Sequence, residues 1–352
     1  MDKLSSAVLE LPLLEGAISS GIVTTEGLSG GPPSADLTYV LESARSAISF
    51  AVALDKKSIA PYFTKEDRHF LEKEMIKANA LASGIALHLS NFLNNKGHNS
   101  VPVAANLVYR DGEGDKASYQ PTDEVYPDLA HRYLAVRSGL GHLGKSGNLI
   151  TPEHGASVIL GAVVSEAELV PTPPLPAQDN YCDECKLCLA SCVSGFMDFD
   201  SETCVTLGGH EYTYSARNNF ARCDLVCSGY TGLSKKGKWS TWSPGRFELP
   251  EKDEDLSAAY ESITSAYSKW PETPGGRLFF YTDDKLRVSC AHCQLICDPD
   301  PEVRKARMTM LKNSGVVMQT ENGALEALSP KEAKQRLENM SPERRALYED
   351  YE

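Results

Sequence analysis

The stretch YCDECKLCLASC, residues 181–192, holds four cysteines in the pattern C-x2-C-x2-C-x3-C. This pattern is typical of bacterial two-cluster ferredoxins, in which three thiolates on a tight loop bind one 4Fe–4S cluster. The fourth cysteine of the run then points to a second cluster. A later stretch, CAHCQLIC at residues 290–297, adds three more cysteines. Together the two stretches predict two 4Fe–4S clusters in a ferredoxin-like domain.

The crossed ligand pattern of ferredoxins assigns most of these thiols to a cluster. The predicted ligands of the first cluster are Cys182, Cys185, Cys188 and Cys297. The predicted ligands of the second cluster are Cys192, Cys290, Cys293 and a fourth residue, for which Cys204 is the nearest spare thiol. The run is normally followed by proline, and Val193 stands there instead, which removes no ligand.

Two cysteines remain, Cys223 and Cys227, at a C-x3-C spacing that puts both thiols on one face of a helix. They are surplus once eight ligands are assigned, so we expect neither to bind a cluster. The alternatives are a redox pair, or one of them replacing Cys204 as a ligand. Structural zinc is the main alternative for the cysteines as a whole. Zinc sites usually use four ligands in two pairs, so the extra C-x2-C step favours iron–sulfur.

The composition is that of a folded protein. The 352 residues are 41% hydrophobic and 24% charged, and this length suggests two domains. The N-terminal stretch has no signal-peptide features. The sequence also contains no run of about 18 apolar residues, the length that a membrane-spanning helix needs. We therefore expect a cytoplasmic protein whose ten cysteines bind metal rather than form disulfides. The net charge of −13 argues against a general nucleic-acid binder.

Strand-like and helix-like segments alternate before the cysteines, which predicts an α/β (α+β) domain. The predicted strands are residues 48–54, a segment from residue 101 and residues 157–164, and the predicted helices are residues 70–97 and 129–138. The stretch PTPPLP at residues 171–176 is interpreted as a linker. The predicted units are an α/β domain at 1–176, a ferredoxin-like domain at 177–300 with an insertion at 205–289, and a charged helical tail at 301–352.

The stretch GLGHLGKS at residues 139–146 satisfies the P-loop pattern G-x-x-x-x-G-K-[ST]. A P-loop follows a buried strand and opens a helix. Here a helical segment precedes the loop and a strand-like segment follows it, so the context argues against ATP binding. Because glycines allow close backbone approach, the loop is better interpreted as a contact to another cofactor.

The segment RYLAVRSGLGHLGKSGNLITPEHGASVILGAVV, residues 132–164, is similar to a characteristic stretch of epoxyqueuosine reductases. The similarity continues through YCDECKLCLASC, through DSETCV around Cys204 and through CAHCQLIC, across roughly residues 40–300. This family is related to the reductive dehalogenases. The order and spacing of several motifs make the resemblance more specific than any one of them.

The resemblance implies a cobalamin held base-off in the α/β domain beside two 4Fe–4S clusters. Electrons would pass from an external low-potential donor through the clusters to the cobalt and then to the substrate. The resemblance also implies that Cys204 is the fourth ligand of the second cluster. It assigns to the cobalamin-binding part the loop residues Gly139, Gly141, His142, Gly144, Lys145 and Ser146. For His142 the alternative is a solvated loop residue, which we favour.

Two acidic residues, Asp183 and Glu184, flank the first cluster in the sequence. Negative charge beside a cluster disfavours the added electron, so we expect these carboxylates to lower the reduction potential.

The resemblance implies a proton-donating Asp upstream of the glycine loop, at the position that Val125 occupies here. Tyr126 and Asp123 flank this position, and we expect Tyr126 to be the donor, with Asp123 as the alternative. The expected substrate is a small molecule or a modified nucleoside. The tail after Cys297 lacks the helical repeats that handle tRNA in the family, which argues against tRNA as a partner. A dehalogenase-like reaction and a non-catalytic electron carrier are the alternative functions.

Overall fold

A computed structural model of the chain describes residues 2–103, 109–110, 126–275 and 290–350. The helices are α1 (Lys3–Leu14), α2 (Ile59–Thr64), α3 (His69–Asn95), α4 (His131–Arg137), α5 (Leu187–Ala190), α6 (Phe220–Cys227), α7 (Leu256–Ser268), α8 (His292–Leu295), α9 (Pro301–Asn313), α10 (Pro330–Glu338) and α11 (Pro342–Arg345). The strands are β1 (Ser19–Thr24), β2 (Ser46–Ala53), β3 (Ser100–Val103), β4 (Tyr109–Arg110), β5 (Tyr126–Pro127), β6 (His142–Leu143), β7 (Leu149–Ile150), β8 (Val158–Ser165), β9 (Met197–Leu207), β10 (His210–Arg217), β11 (Val316–Gln319) and β12 (Leu325–Leu328). None of these helices has both the length and the apolar character that crossing a membrane requires.

The N-terminal half is built on a four-stranded sheet with the strand order β1-β2-β8-β3. All of its pairings are antiparallel. The alternation of strands and helices predicted this mixed α/β fold, but the strands return as antiparallel neighbours rather than through parallel crossovers. The domain therefore has the α+β form of the prediction, with β8 inserted between β2 and β3.

Strand β2 is buried on both of its faces. Ile48 and Phe50 pack into the hydrophobic cluster that contains the buried residues of α3. Ala47 and Ala51 point the other way and pack into the cluster that contains α4. A strand that is covered on both faces has no need for polar residues at alternate positions. This explains why apolar residues predominate on both faces of the segment rather than at every second position.

The proline-rich segment at residues 171–176 contains neither helix nor strand, as the sequence predicts, and it docks on the sheet. Ile22 N donates to Thr172 Oγ1 at 3.1 Å, and Thr172 N donates to Ile22 O at 2.9 Å. These bonds occupy part of the free edge of β1, which would otherwise offer unpaired backbone groups.

The cysteine-containing part of the chain packs directly on the sheet domain. Leu295 and Ile296 belong to the same hydrophobic cluster as α3 and β2. Trp242, also in this cluster, donates from Nε1 to the carbonyl of Tyr62 at 3.1 Å. The two parts therefore share one core, which fixes the cysteines relative to the sheet.

The long stretch after Cys204 and the tail are more structured than the sequence indicates. The stretch folds into β10, α6 and α7, and the tail predicted to be helical also contains the hairpin of β11 and β12. The two segments pack on each other, because Trp270 Nε1 donates to Leu347 O at 2.6 Å and its ring stacks on Tyr348. The tail therefore contains the helices that the sequence predicts and, in addition, a hairpin that it does not predict.

A pair of glycine substitutions tests the packing of the sheet. Gly161 in β8 lies opposite Phe50, and an added Cβ would come within 2.4 Å of the Phe50 ring. Gly161→Ala should therefore lower the free energy of unfolding by about 1–3 kcal/mol, the usual cost of overpacking. Gly84→Ala is the control. Gly84 is exposed within α3 and nothing described lies within 4 Å of its added Cβ, so this change should stabilise by about 0.5–1 kcal/mol. Urea unfolding measures both, and a neutral Gly161→Ala would contradict the packing.

Candidate metal centre

The first group of thiols comes from two distant parts of the chain. Cys182 and Cys185 lie on the loop that leads into α5, Cys188 lies within α5, and Cys297 follows α8. Burial raises the pKa of Cys188 to about 12, and the charges of Cys297, Cys182 and Cys185 add to this increase. Burial also raises the pKa of Cys297 to about 11, with a further contribution from the charge of Cys182. Thiols that affect one another in this way lie close together, so the structure gathers the set that the crossed pattern assigns to one cluster.

The loop that leads into α5 has an uncommon backbone. Glu184 and Lys186 both adopt the left-handed conformation, with φ of 53° and 54°. The backbone N–H of Cys182 donates to Asn180 Oδ1 at 3.0 Å, and that of Cys185 donates to Asp183 Oδ1 at 3.3 Å. Asn and Asp side chains commonly stabilise turns in this way. The curled backbone allows cysteines three residues apart to face a common centre.

Two buried cations lie beside the thiols. Arg304 is 4% exposed, and its guanidinium reaches Cys185 Sγ at 3.6 Å. Lys65 is 8% exposed, and its Nζ has no hydrogen-bond partner within the described part of the chain. Burial lowers the pKa of Lys65 to about 7, while the charge of Cys290 acts in the opposite direction. A buried ammonium without a partner is costly. An anionic iron–sulfur cluster between the thiolates would supply the missing negative charge, so these residues fit such a group.

The two acidic residues beside the first group are paired. Asp183 accepts from Arg304 at 2.8 and 3.1 Å. Glu184 lies 3.2 Å from Lys145 Nζ, which also contacts Glu202. The sequence predicted that these carboxylates lower the reduction potential of the first cluster. Each carboxylate faces a buried cation, and the positive charge of that cation opposes the lowering of the reduction potential.

The second group of thiols includes Cys223, which the sequence predicts to bind no cluster. Burial raises the pKa of Cys293 well above its usual range, and the charges of Cys223, Cys290 and Cys192 raise it further. The pKa of Cys192 is also raised, first by burial and then by the charges of Cys223 and Cys290. These four thiols therefore lie close together. Asn148 Nδ2 donates to Cys293 Sγ at 3.7 Å at the edge of the group.

A fifth thiol, that of Cys227, lies next to Cys223 and Cys290 of this group. Its sulfur lies 3.5 Å from that of Cys223, one turn earlier on α6. The hydrogen bond from Cys227 is the main reason that the pKa of Cys290 is held well below its usual range. The C-x3-C spacing thus places both thiols on the face of α6 that points to the second group, as expected for a helix.

Cys204 does not join the second group in the structure. It is exposed on β9, where it pairs with Thr213 of the neighbouring β10. The role of Cys204 as fourth ligand stays a prediction that rests on the resemblance, whereas Cys223 lies beside Cys192 and Cys293. The sequence contained a signal for the position of Cys223, namely two surplus thiols on one helical face. Sequence distance, which favoured Cys204, carries no information about where a hairpin and a helix pack.

No three His, Cys, Asp or Glu side chains within the described ranges converge closely enough to hold a single metal ion. The thiols form two looser groups.

The glycine loop does not form an open cradle for a cofactor. A Cβ on Gly139 would meet Pro173 O at 2.5 Å, and a Cβ on Gly141 would meet Ile150 O at 2.2 Å. These glycines are therefore required by the protein's own backbone. The loop is preceded by α4 and followed by the short hairpin of β6 and β7, which is not the context of a P-loop. Lys145 is also occupied by two carboxylates and does not extend as a phosphate ligand would.

The end of the glycine loop and the two residues that follow it contact both thiol groups. The backbone N–H of Lys145 donates to Cys182 Sγ at 3.4 Å in the first group. Asn148, three residues later, reaches Cys293 in the second group. Ser146 contributes its carbonyl to Arg217 at 3.1 Å. The loop therefore serves as a support between the groups, which differs from the cofactor-contacting role expected for Gly139, Gly141, Gly144, Lys145 and Ser146.

His142 is buried, so the expectation of a solvated loop residue is wrong. It is 8% exposed, and its Nε2 has no hydrogen-bond partner in the part of the chain that the structure describes. Burial lowers the pKa of His142, and the charge of Asp179 acts against this. A buried neutral imidazole with an unsatisfied nitrogen is the one side chain of the loop that fits a contact to a further group.

Of the two candidate proton donors, Tyr126 lies in β5. The backbone of Tyr126 pairs with Arg110 between β5 and β4. Asp123 lies outside the described residues. Their roles stay predictions.

Comparison with known proteins finds distant relatives of the chain. No protein-family model matches it. It is 33% identical to the epoxyqueuosine reductase of Bacillus anthracis over 120 residues, which cover 30% of this chain and 31% of that protein. The chain is a distant homologue of epoxyqueuosine reductases, and the match spans about a third of this relative.

Solved structures with a similar course of the chain are more divergent in sequence. One is an epoxyqueuosine reductase in a complex with an epoxyqueuosine-modified tRNA-Tyr stem loop, with a TM-score of 0.41, 16% identity, and coverage of 97% of this chain and 74% of that chain. Another is a reductive dehalogenase described in terms of B12-dependent dehalogenation, with a TM-score of 0.42, 12% identity, and coverage of 90% and 38%.

Arg304 provides a test of the charge balance at the first thiol group. In protein that carries iron, Arg304→Gln should leave the iron content unchanged but lower the reduction potential of the first cluster, because a positive charge beside Cys185 favours the added electron. An anaerobic redox titration followed by electron paramagnetic resonance measures this potential. Lys305→Gln, on the same helix but exposed and paired with Glu302, is the control and should leave the potential unchanged. Equal shifts in both variants would contradict the assignment.

Proposed function

We propose that this protein is a reductase of the epoxyqueuosine reductase type, with two 4Fe–4S clusters that pass electrons to a bound cobalamin and then to the substrate. The observation that carries this proposal is the gathering of cysteines into two groups with buried cations beside them. Thiolates from both ends of a crossed pattern are the ligands of two-cluster ferredoxins. Distant homology to epoxyqueuosine reductases supports the same function.

In this proposal Cys182, Cys185, Cys188 and Cys297 bind the first cluster. Cys192, Cys290 and Cys293, with one further thiol, bind the second. Cys185 is exposed, so the first cluster lies nearer to the surface and is the entry point for an external low-potential donor. A cytoplasmic location, which keeps thiols reduced, is part of the proposal.

The glycine loop supports electron transfer between the clusters. It touches the first thiol group through the N–H of Lys145 and the second through the side chain of Asn148. Residues only three positions apart in the chain thus contact both groups, which limits the separation of the groups. Hydrogen bonds to the ligand sulfurs also stabilise negative charge there, so the loop contributes to the potential of each cluster.

The cobalamin part of the proposal rests on the resemblance and on one feature of the loop. When bound, the corrinoid would supply the redox-active cobalt for reduction of the substrate. The unsatisfied Nε2 of buried His142 is the contact that the described part of the loop offers to it. The glycines and Lys145 make internal contacts and are not needed for this role.

Epoxyqueuosine, a modified nucleoside, is the substrate that the relatives' name suggests for a first trial. Tyr126 is the proposed proton donor and Asp123 the alternative, because a reduction at cobalt needs an acid within hydrogen-bond reach of the substrate. The net charge of −13 does not favour binding of a large RNA. A dehalogenase-like reaction is the second candidate, and a tyrosine donor would be closer to that group of enzymes.

Iron analysis tests the cluster part of the proposal. Protein purified without oxygen should contain about eight irons per chain, since two 4Fe–4S clusters are proposed. Cys188→Ala should remove about half of this iron, because Cys188 is a proposed ligand of the first cluster and lies near the other three. A content near four irons in the unmodified protein would contradict the proposal.

The catalytic part is tested with a variant that removes only a hydroxyl group. Tyr126→Phe should retain the iron content and the spectral change on addition of cobalamin, yet it should abolish turnover, because the proton donor is lost. Asp123→Asn is the matched comparison. Normal turnover in Tyr126→Phe combined with loss of turnover in Asp123→Asn would assign the role to the carboxylate. A lack of spectral change with cobalamin in the unmodified protein would remove cobalamin from the proposal.

A further inference from the structure

Helix α6 is fixed against the segment that follows Cys192. Asn218, just before the helix, donates from its backbone N to Phe196 O at 2.8 Å and from Nδ2 to Gly195 O at 2.7 Å. The rings of Phe196 and Phe220 meet edge to face with centroids 6.2 Å apart. These contacts place the start of α6 beside the end of the first cysteine run.

The two thiols of α6 have different neighbours. The thiol of Cys223 interacts with those of Cys192 and Cys293, which are two of the proposed ligands of the second cluster. The thiol of Cys227 interacts with Cys223, at 3.5 Å, and with Cys290. Cys223 thus completes a group of four, and Cys227 stands one helical turn behind it.

We propose that Cys223, and not Cys204, is the fourth ligand of the second cluster, and that the thiol of Cys227 donates hydrogen bonds to the ligand sulfurs of Cys223 and Cys290. This inference rests on the proposed function, because it requires that clusters are bound. It assigns a different ligand from the one that the resemblance implies.

The position of Cys204 agrees with this assignment. Cys204 is exposed in the middle of the hairpin of β9 and β10, with Thr213 as its cross-strand neighbour. A ligand on that hairpin would have to leave the strand pairing to reach the buried thiols. Cys223 needs no such rearrangement, because α6 already faces the group.

The role of Cys227 has an electrostatic consequence. Hydrogen bonds to the sulfurs of an iron–sulfur cluster stabilise its reduced, more negative state and raise its reduction potential. A neutral thiol that contacts two ligand sulfurs would therefore raise the potential of the second cluster relative to the same site without it. Replacing Cys227 keeps all of the proposed ligands. The change should therefore shift the reduction potential of the second cluster and leave the iron in place.

Three single variants of the full chain, purified without oxygen, test the assignment: Cys223→Ala, Cys227→Ala and Cys204→Ala. Cys223→Ala should lose about half of the iron and the resonance signal of one cluster, while the signal of the other cluster reports that the fold is intact. Cys204→Ala should keep all of the iron. Cys227→Ala should also keep the iron, with the potential of one cluster shifted to more negative values.

Alkylation provides a second measurement that does not depend on the folding of variants. In unmodified protein that carries iron, iodoacetamide should label the exposed Cys204 without loss of iron, and Cys223 should be labelled only after the iron is removed. Retention of iron by Cys223→Ala with loss by Cys204→Ala, or protection of Cys204 until iron removal, would overturn the inference and leave the proposed function standing. Absence of clusters in the unmodified protein would overturn both.

Discussion

Sulfurs brought together away from water repel one another once they ionise, and this repulsion is the constraint on which the rest of the structure depends. It appears in the raised pKa values of Cys188, Cys293 and Cys297, to which burial and neighbouring thiolates both contribute. Positive charge must compensate it. Lys65 and Arg304 supply part of that charge from buried positions, at a desolvation cost that only an anionic partner offsets. In the proposed function, iron bound between the thiolates supplies the remainder.

The buried cations can balance the charge of the thiolates only if both are held in fixed positions. The hydrophobic core that holds them is shared between the two halves of the chain. The antiparallel sheet and α3 form one core with the residues around α8, so the later cysteines are held by the same packing that stabilises the N-terminal domain. The glycine loop then connects this core to both thiol groups. Its glycines are needed because the loop passes close to the backbone of Ile150 and Pro173, and a side chain would separate these segments.

The second thiol group, in the proposed assignment, would exchange one ligand of the family pattern for another. A cluster requires four sulfurs at suitable positions, and it does not matter which part of the chain supplies them. Here a β-hairpin holds Cys204 in the solvent, and the helix that follows presents Cys223 to the group. In the proposed assignment the thiol of Cys227, 3.5 Å from that of Cys223, binds no iron and is a hydrogen-bond donor. Local secondary structure, rather than the presence of a cysteine, decides the assignment.

The sequence by itself determined the features that depend on short spacings. The C-x2-C-x2-C-x3-C run and the CAHCQLIC stretch indicated two groups of thiols, and apolar runs indicated the strands and helices of a mixed α/β domain. Both follow from local geometry, because a few residues of known spacing fix which side chains share a face. The tertiary structure alone decided the antiparallel strand order, the burial of His142, the pairing of Asp183 with Arg304 and the neighbours of Cys223. Each of these joins segments that are distant in the chain, and their packing depends on the whole core rather than on any spacing that can be read along the sequence.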